Sequence, residues 1–429
     1  MNKNPHVVVV GAGFGGLWTS RALAGKPVEV TLLDDDNYHA FWPLLYQVAA
    51  AELEVEQIAY PVRRIVRNKK NVNFMMGYVH EVDFAARCVY TTRQKIPYDY
   101  LVLALGSTSS YFGVRGAEEF TFALKTMEEG LALRNHILRC YELAVQEPDE
   151  ARRRRLLTFV IVGGGPTGVE YTGALSELIY GPLRKDYRGV GIEQVQIVLV
   201  EMQDILLPAM PAKLGRYARK RLEDRRVQVR LETAVAEVTD DHVSFADGSC
   251  LETETVVWTA GVRGTPLAEA WGLTTGRGGR VQVLPTLQAP QHAEVFVVGD
   301  LAAFEGQDGQ PLPMLAPVAM QQGEHAARNI LRHIEGQALQ PFRYRDKGAM
   351  ATIGRTAAVA DIFGRAFTGY LAWLIWLGVH LAQLIGFRNR LVVLINWAWS
   401  YLFFERMVRL ILPKQGAMAA ANKGKSLDE

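Results

Sequence analysis

The feature that most constrains this chain is a run of four valines, residues 7–10, closed by Gly11-x-Gly13-x-x-Gly16. An apolar run of this kind reads as a strand buried on both faces. The next residues, LWTSRALAG, are compatible with a helix, and VEVTLLD then forms a second strand ending at Asp34. Glycines between a strand and a helix permit a tight turn and a close approach of the backbone to a pyrophosphate. The helix N-terminus holds the phosphate charge, and an acid closing the next strand accepts from a ribose hydroxyl. The pattern then recurs. LLTFVIV leads into Gly163-x-Gly165-x-x-Gly168, and VQIVLV is followed by Glu201. One chain therefore carries two dinucleotide-binding units, a weak internal duplication and not a short-period repeat.

Two such sites suggest two different dinucleotides, and a nicotinamide facing a flavin would make an electron-transfer pair. Three further strand ends support a flavin in the first unit: Gly106 after YDYLVLAL, Gly261 after VVWTA, and Gly299-Asp300 after EVFVV. At the second site no Lys or Arg follows Glu201 until Lys213. A carboxylate there pairs with the 2′-hydroxyl of NADH and repels the 2′-phosphate of NADPH. The basic run 152–155 is expected to be a solvated loop. The length of 429 residues suits two or three domains, and a net charge of +2 gives no whole-molecule field for nucleic acid. Cys88, Cys140 and Cys250 are far apart in sequence. They form no CxxC, no metal spacing and no disulfide framework, so a reducing compartment and no metal are expected. The N-terminus enters the first strand directly, which reads as an intracellular start.

In this order the segments resemble the flavoprotein superfamily with two dinucleotide domains, in which an inserted NAD domain interrupts the FAD domain. The cysteine spacing argues against its disulfide reductases and its sulfide:quinone reductases. NYHAFWPLLYQVAA (37–50), GGGPTGVE, PLPMLAPVAMQQGEHAARNI (311–330) and KGAMATIGRTAAV (347–359) resemble the type II NADH dehydrogenases. These are single-subunit NADH:quinone oxidoreductases with FAD and no metal, and the resemblance runs from residue 7 to about 412. It implies an α/β fold with two Rossmann-like domains and a C-terminal membrane-association region with amphipathic helices. The implied divisions are 1–115 and 263–330 for FAD, 116–262 for NADH, and 331–429 for the membrane.

The resemblance assigns FAD to Gly11, Gly13, Phe14, Gly15, Gly16, Asp34, Leu44, Val82, Gly106, Gly299 and Asp300. It assigns NADH to Gly163, Gly165, Pro166, Thr167, Gly168, Glu201 and Gly261, and quinone to Gln47, Pro317 and Gln321. Pro317 stands where the family often has glutamine, and Trp42 where many relatives do. Proline offers no side-chain donor, so the quinone contacts depart from the pattern. Glu170 matches the family's glutamate near the nicotinamide and flavin. Two readings stay open for it: an acid in a helix's first turn favoured by the dipole, or a proton donor to quinone. The implied reaction is hydride transfer from NADH to the flavin, then two electrons to ubiquinone or menaquinone. Two other readings are a soluble NADH-dependent reductase of an iron–sulfur protein and a non-catalytic NADH-sensing flavoprotein.

Residues 366–386 contain no Asp, Glu, Lys or Arg, which suggests a membrane span. A single span would carry Arg388, Arg390, Arg406, Arg409, Lys414, Lys423 and Lys425 away from the cytoplasm. The segment 391–404 is too short to return. Trp373, Trp376, His380, Gln383 and Phe387 fall on one helical stripe, and Asn389, Asn396 and Ser400 on another. Helices lying in the membrane plane are therefore expected, with the tryptophans at headgroup level and GFRNR as the turn between them. Part of the surface could instead pack on the body or in a homodimer. His380 reads as a hydrogen-bonded interfacial residue more than as a proton relay. The expected location is the cytoplasmic face of the cell membrane, held peripherally through 366–412. Residues 414–429 read as a frayed terminus.

Overall fold

A computed structural model describes residues 4–307, 309–403 and 408–412. The expectations for Arg406, Lys414, Lys423, Lys425 and the terminal stretch therefore lie outside the described residues. Along the chain, β1 (His6–Val10), α1 (Phe14–Leu23) and β2 (Glu29–Asp34) come first, then α2 (Leu45–Ala49), β3 (Val72–Met76), β4 (Val79–Asp83) and β5 (Tyr100–Leu103). β6 (Phe122–Ala123), α3 (Met127–Gln146), β7 (Thr158–Val162), α4 (Pro166–Leu178), β8 (Gln196–Val200), α5 (Ala212–Glu223), β9 (Val227–Arg230) and β10 (Thr255–Trp258) follow. The last part holds β11 (Gln288–Ala289), β12 (His292–Val297), α6 (Ala316–Ile334), β13 (Ala349–Thr352), β14 (Ala358–Ile362), β15 (Arg365–Thr368), α7 (Gly369–Gln383) and α8 (Phe387–Phe403).

These elements form two compact units. The first comprises Met1–Ala40, Ala59–Ser110 and Val262–Lys347; the second comprises Phe41–Ile58, Tyr111–Gly261 and Gly348–Glu429. In the first unit a six-stranded sheet has the order β11-β12-β5-β1-β2-β3. Only the β11–β12 pairing is antiparallel. The valine run is central, Val10 standing opposite both Leu33 and Leu103, and Val7, Val8 and Val9 are fully buried. That is why the run shows no polar alternation. α6 packs closely on α1. A Cβ on Gly323 would lie 2.3 Å from the Gly15 carbonyl oxygen, and the Thr19 hydroxyl donates to the carbonyls of Gly15 and Gly323.

In the second unit a five-stranded parallel sheet has the order β6-β10-β7-β8-β9. α3 starts with a capping box in which Thr126 and Glu129 satisfy each other's backbone N–H groups. The arginines at 152–155 are not in a loop. They lie on the helix Glu150–Leu156, capped by Asp149, where Arg152 pairs with Glu147 and Glu254 and Arg155 with Glu254. β13, β14 and β15 form an antiparallel sheet against which α4 packs tightly: a Cβ on Gly173 would lie 2.8 Å from the Ile353 carbonyl carbon.

The tail differs from expectation in its facing. Trp373, Trp376, Asn389 and Trp397 are buried in the second unit, whereas Leu371, Leu374, Leu391, Leu394, Ile395, Trp399, Leu402 and Phe403 are exposed. The expected stripes thus face protein at Trp373, Trp376 and Asn389, as does Trp397, and a mainly aliphatic face turns outward. The physical reason is the indole and amide N–H groups, which need acceptors that the body supplies. At the end of the stripe, Gln383 and Phe387 are exposed. The turn between the helices is 384–386, and 387–390 is already the first turn of α8. There the Asn389 amide donates to the Glu56 carbonyl at 3.1 Å and Arg390 donates to the Leu384 carbonyl at 2.7 Å. Among the described residues no helix is long and apolar enough to cross a membrane.

Candidate active site

The first glycine loop follows β1. Gly11 has φ 102°, and a Cβ there would lie 2.3 Å from the Ala104 carbonyl oxygen. A Cβ on Gly16 would come within 1.8 Å of the Gly11 carbonyl oxygen, so the third glycine is needed for the turn itself. Gly13 differs: nothing lies within 4 Å of its would-be Cβ, which leaves open space at the N-cap of α1. Phe14 and Gly15 open α1 and are buried. The Asp34 carboxylate accepts from the backbone N–H of Ala12 and, at 2.9 Å, from that of Asp36. Burial pushes its pKa up to about 7 against those two donors. His39 donates through Nδ1 to the Ala12 carbonyl at 2.8 Å, and burial lowers its pKa to about 4. The ring is thus neutral, and its buried Nε2 has no partner among the described residues.

At the far end of β12, Gly299 and Asp300 lie in a 3-10 turn, Gly299 with φ 75°. The Ser107 hydroxyl donates to Asp300 at 2.6 Å, one residue beyond Gly106, which has φ 70°. The Gln322 side-chain oxygen accepts from the Gly299 N–H at 2.7 Å, and the buried Nε2 of Gln322 has no partner among the described residues. Val82 is buried in the core below β1 and β5. Pro317 stands in the first turn of α6, where its missing N–H costs no helical bond. The Gln321 amide is engaged by the Arg345 backbone, donating to its carbonyl at 3.1 Å and accepting from its N–H at 3.0 Å.

The second glycine loop repeats the first. Gly163 has φ 112°, a Cβ on Gly168 would lie 1.9 Å from the Gly163 carbonyl oxygen, and Gly165 faces open space. Pro166 and Thr167 are exposed at the start of α4. Glu201 closes the loop, accepting from Gly164 N–H at 2.6 Å and Gln203 N–H at 2.9 Å. A Cβ on Gly261 would meet the Phe112 ring at 2.4 Å.

Glu170 is the fifth residue of α4, not in its first turn. The dipole reading therefore loses its geometry, because that effect falls off within a turn. The carboxyl is buried. Its Oε1 accepts from the Thr352 backbone N–H and from the Trp376 indole N–H, each at 3.2 Å. No cation pairs with it among the described residues. Burial raises its pKa to about 8, more than the two N–H donors lower it. Gln47 on α2 is buried too; its Oε1 accepts from Trp397 Nε1 at 2.9 Å and its Nε2 donates to the Tyr46 hydroxyl at 2.9 Å. Leu44 is fully buried and Trp42 half-buried in the 3-10 turn just before α2. Cys88, Cys140 and Cys250 are all free thiols.

Residues 5–323 match the pyridine nucleotide-disulphide oxidoreductase family, and residues 347–406 match the NDH2 C-terminal domain. The type II NADH:quinone oxidoreductase Ndh of Mycobacterium tuberculosis is 39% identical over 419 residues, covering 94% of this chain and 89% of that protein. The chain belongs to the type II NADH:quinone oxidoreductases. The family member of Staphylococcus epidermidis is 34% identical over 373 residues, 85% of this chain and 91% of that protein. NDH2 from Plasmodium falciparum, solved in complex with NADH, shares the fold with a TM-score of 0.87 at 18% identity, over 96% of this chain and 100% of that one.

For a type II oxidoreductase the sequence reading missed Gln322, Thr352, Trp376 and Trp397 as groups bonded to site residues. Gln322 was overshadowed by Gln321, its neighbour. The tryptophans carried a signal, since a buried indole N–H must find an acceptor. The residues present fit an FAD. Gly13 leaves a cradle that any Cβ would begin to fill, and the orphaned nitrogens of His39 and Gln322 lie on residues that hold the loops at Ala12 and Gly299.

Proposed function

We propose that this chain passes electrons from NADH through bound FAD to a membrane quinone of the ubiquinone or menaquinone type, without pumping protons. The observation that carries the reading is the pair of glycine cradles, each open at its second glycine and closed by a carboxylate at the end of the adjoining strand. Gly11, Gly13, Phe14, Gly15, Gly16 and Asp34 would hold the adenosine and pyrophosphate of FAD, with Gly106, Gly299, Asp300, Val82 and Leu44 along its remainder. Gly163, Gly165, Pro166, Thr167, Gly168, Glu201 and Gly261 would hold NADH. When bound, FAD supplies the hydride-accepting and electron-transfer chemistry. Glu201 favours a 2′-hydroxyl over a 2′-phosphate. Glu170 holds a proton near neutral pH and gives it to a quinone oxygen. Gln47 and Gln321 meet the quinone, and Pro317 contributes shape without a donor.

The domains at 1–115 with 263–330, at 116–262 and at 331–429 serve FAD, NADH and the membrane in turn. The outward aliphatic faces of α7 and α8 rest in the membrane plane on its cytoplasmic side, with lipid contacts within 366–412, and the enzyme works as a homodimer. The test is a visible flavin spectrum that NADH bleaches and a quinone analogue restores over many turnovers. Turnover with an iron–sulfur protein alone, or NADH binding with no turnover, would overturn the proposal.

A further inference from the structure

Each C-terminal helix sends one indole N–H into the second unit, and each indole meets a different residue of the candidate site. Trp376 of α7 donates to Glu170 Oε1, the oxygen that also accepts from the Thr352 N–H. No hydrogen bond from a described residue reaches Oε2. An oxygen already accepting two N–H groups is the less basic of the pair, so a proton on this carboxyl sits on Oε2. Trp397 of α8 donates to Gln47 Oε1. An indole nitrogen only donates, which fixes the orientation of the amide: oxygen toward Trp397, nitrogen away from it. That nitrogen gives one hydrogen to the Tyr46 hydroxyl and keeps a second.

Both residues are thereby left as donors, Glu170 through Oε2–H and Gln47 through its second N–H. The carbonyl oxygens of a quinone only accept. We infer that Trp376 and Trp397 are positioning residues that hold Glu170 and Gln47 as donors toward an acceptor-only substrate. The inference rests on Glu170 being the proton donor proposed above. When the proton leaves Oε2 for a quinone oxygen, the carboxylate charge spreads to Oε1, where two N–H groups already point.

The surroundings leave these donors in control. Tyr46 of α2 faces Glu170 and is itself pushed well above its usual range by burial, and by Glu170, Glu52 and Tyr401, so it stays neutral. His380 stacks on Trp376 at 4.1 Å and is lowered to about 4 by burial, so it adds no charge. β7, β8 and β13, which also pack on α4, carry no titratable side chain, and the buried face of α5 is apolar.

The FAD-loaded full-length enzyme is assayed for kcat/KM with a soluble quinone across pH 6–10, as wild type, Glu170→Gln, Trp376→Phe and Trp397→Phe. Benzothienylalanine at 376, isosteric with tryptophan but lacking the N–H, deletes only the donor where phenylalanine disturbs folding. Losing the donor to a charged acceptor moves the titration midpoint up by about half to one pH unit. Trp397→Phe leaves the midpoint in place and raises KM for quinone roughly fivefold, with little change in kcat. A midpoint at 376-substituted enzyme identical to wild type, while Glu170→Gln abolishes the titration, overturns this inference alone. A titration that survives Glu170→Gln overturns the proton role of Glu170 and this inference with it.

Discussion

Gly13 and Gly16 share a loop and answer to different constraints. At Gly16 an added methyl meets a backbone oxygen at 1.8 Å; at Gly13 it meets nothing, and φ of −66° already suits alanine. Gly16→Ala should cost roughly 3 kcal/mol or more and lower the melting temperature of flavin-free protein. Gly13→Ala should leave that temperature within a degree or two, because its cost is under about 0.5 kcal/mol. It should still weaken FAD binding at least about tenfold, since the methyl occupies the cradle. Melting curves and flavin titration of the two variants separate the roles. Glu170 gives a prediction of opposite character. Its folded pKa of about 8 lies above the ordinary 4.5, so the folded state binds the proton more tightly. Stability contributed by this group is full at low pH and is lost as pH rises from about 4.5 through about 8. Glu170→Gln should match wild type near pH 4.5 and gain stability progressively toward pH 9, by roughly 4 kcal/mol at most, as read by denaturant melts across that range. Both glycine loops were legible in sequence because their spacing repeats a backbone requirement. The depth of Glu170 was not, because its partners, Thr352 and Trp376, are remote in sequence.

Among the elements, α7 and α8 show most clearly where pattern reading stops. Strands such as β7, buried at all five residues, announced themselves as unbroken apolar runs. α7 is apolar around most of its surface, with His380 and Gln383 the polar exceptions near its end, so its composition did not say which face meets protein. The difference lies in hydrogen-bonding demand: Trp376 and Trp397 need acceptors, and Leu374, Leu394 and Leu402 need none. Leu394→Glu with Leu402→Glu should therefore leave the melting temperature nearly unchanged, since both side chains are exposed. Burying two carboxylates among acyl chains costs each about 1–3 kcal/mol, so partitioning onto phospholipid vesicles should fall by tenfold or more in a flotation assay. Vesicle binding equal to wild type would remove these faces from the membrane contact.

For the molecule as a whole, the order of segments matters as much as their content. The chain leaves the first unit after Ala40, Ser110 and Lys347 and returns to it at Ala59 and Val262, so each unit is assembled from three separate stretches. The duplication of glycine loops was visible in the sequence. The short excursion of Phe41–Ile58 was not, because its buried apolar residues, Leu44, Leu45, Val48 and Leu53 among them, do not mark which unit covers them. Synthesis meets this arrangement one residue at a time. β5 is made early, yet the strand that covers its far edge, β12, ends at Val297, nearly two hundred residues later. At about 5–20 residues per second, the nascent sheet keeps that hydrogen-bonding edge uncovered on the ribosome for roughly ten to forty seconds. During that interval a neighbouring nascent chain could pair there, which makes the edge of β5 the place where chaperone binding would protect newly made enzyme from aggregation.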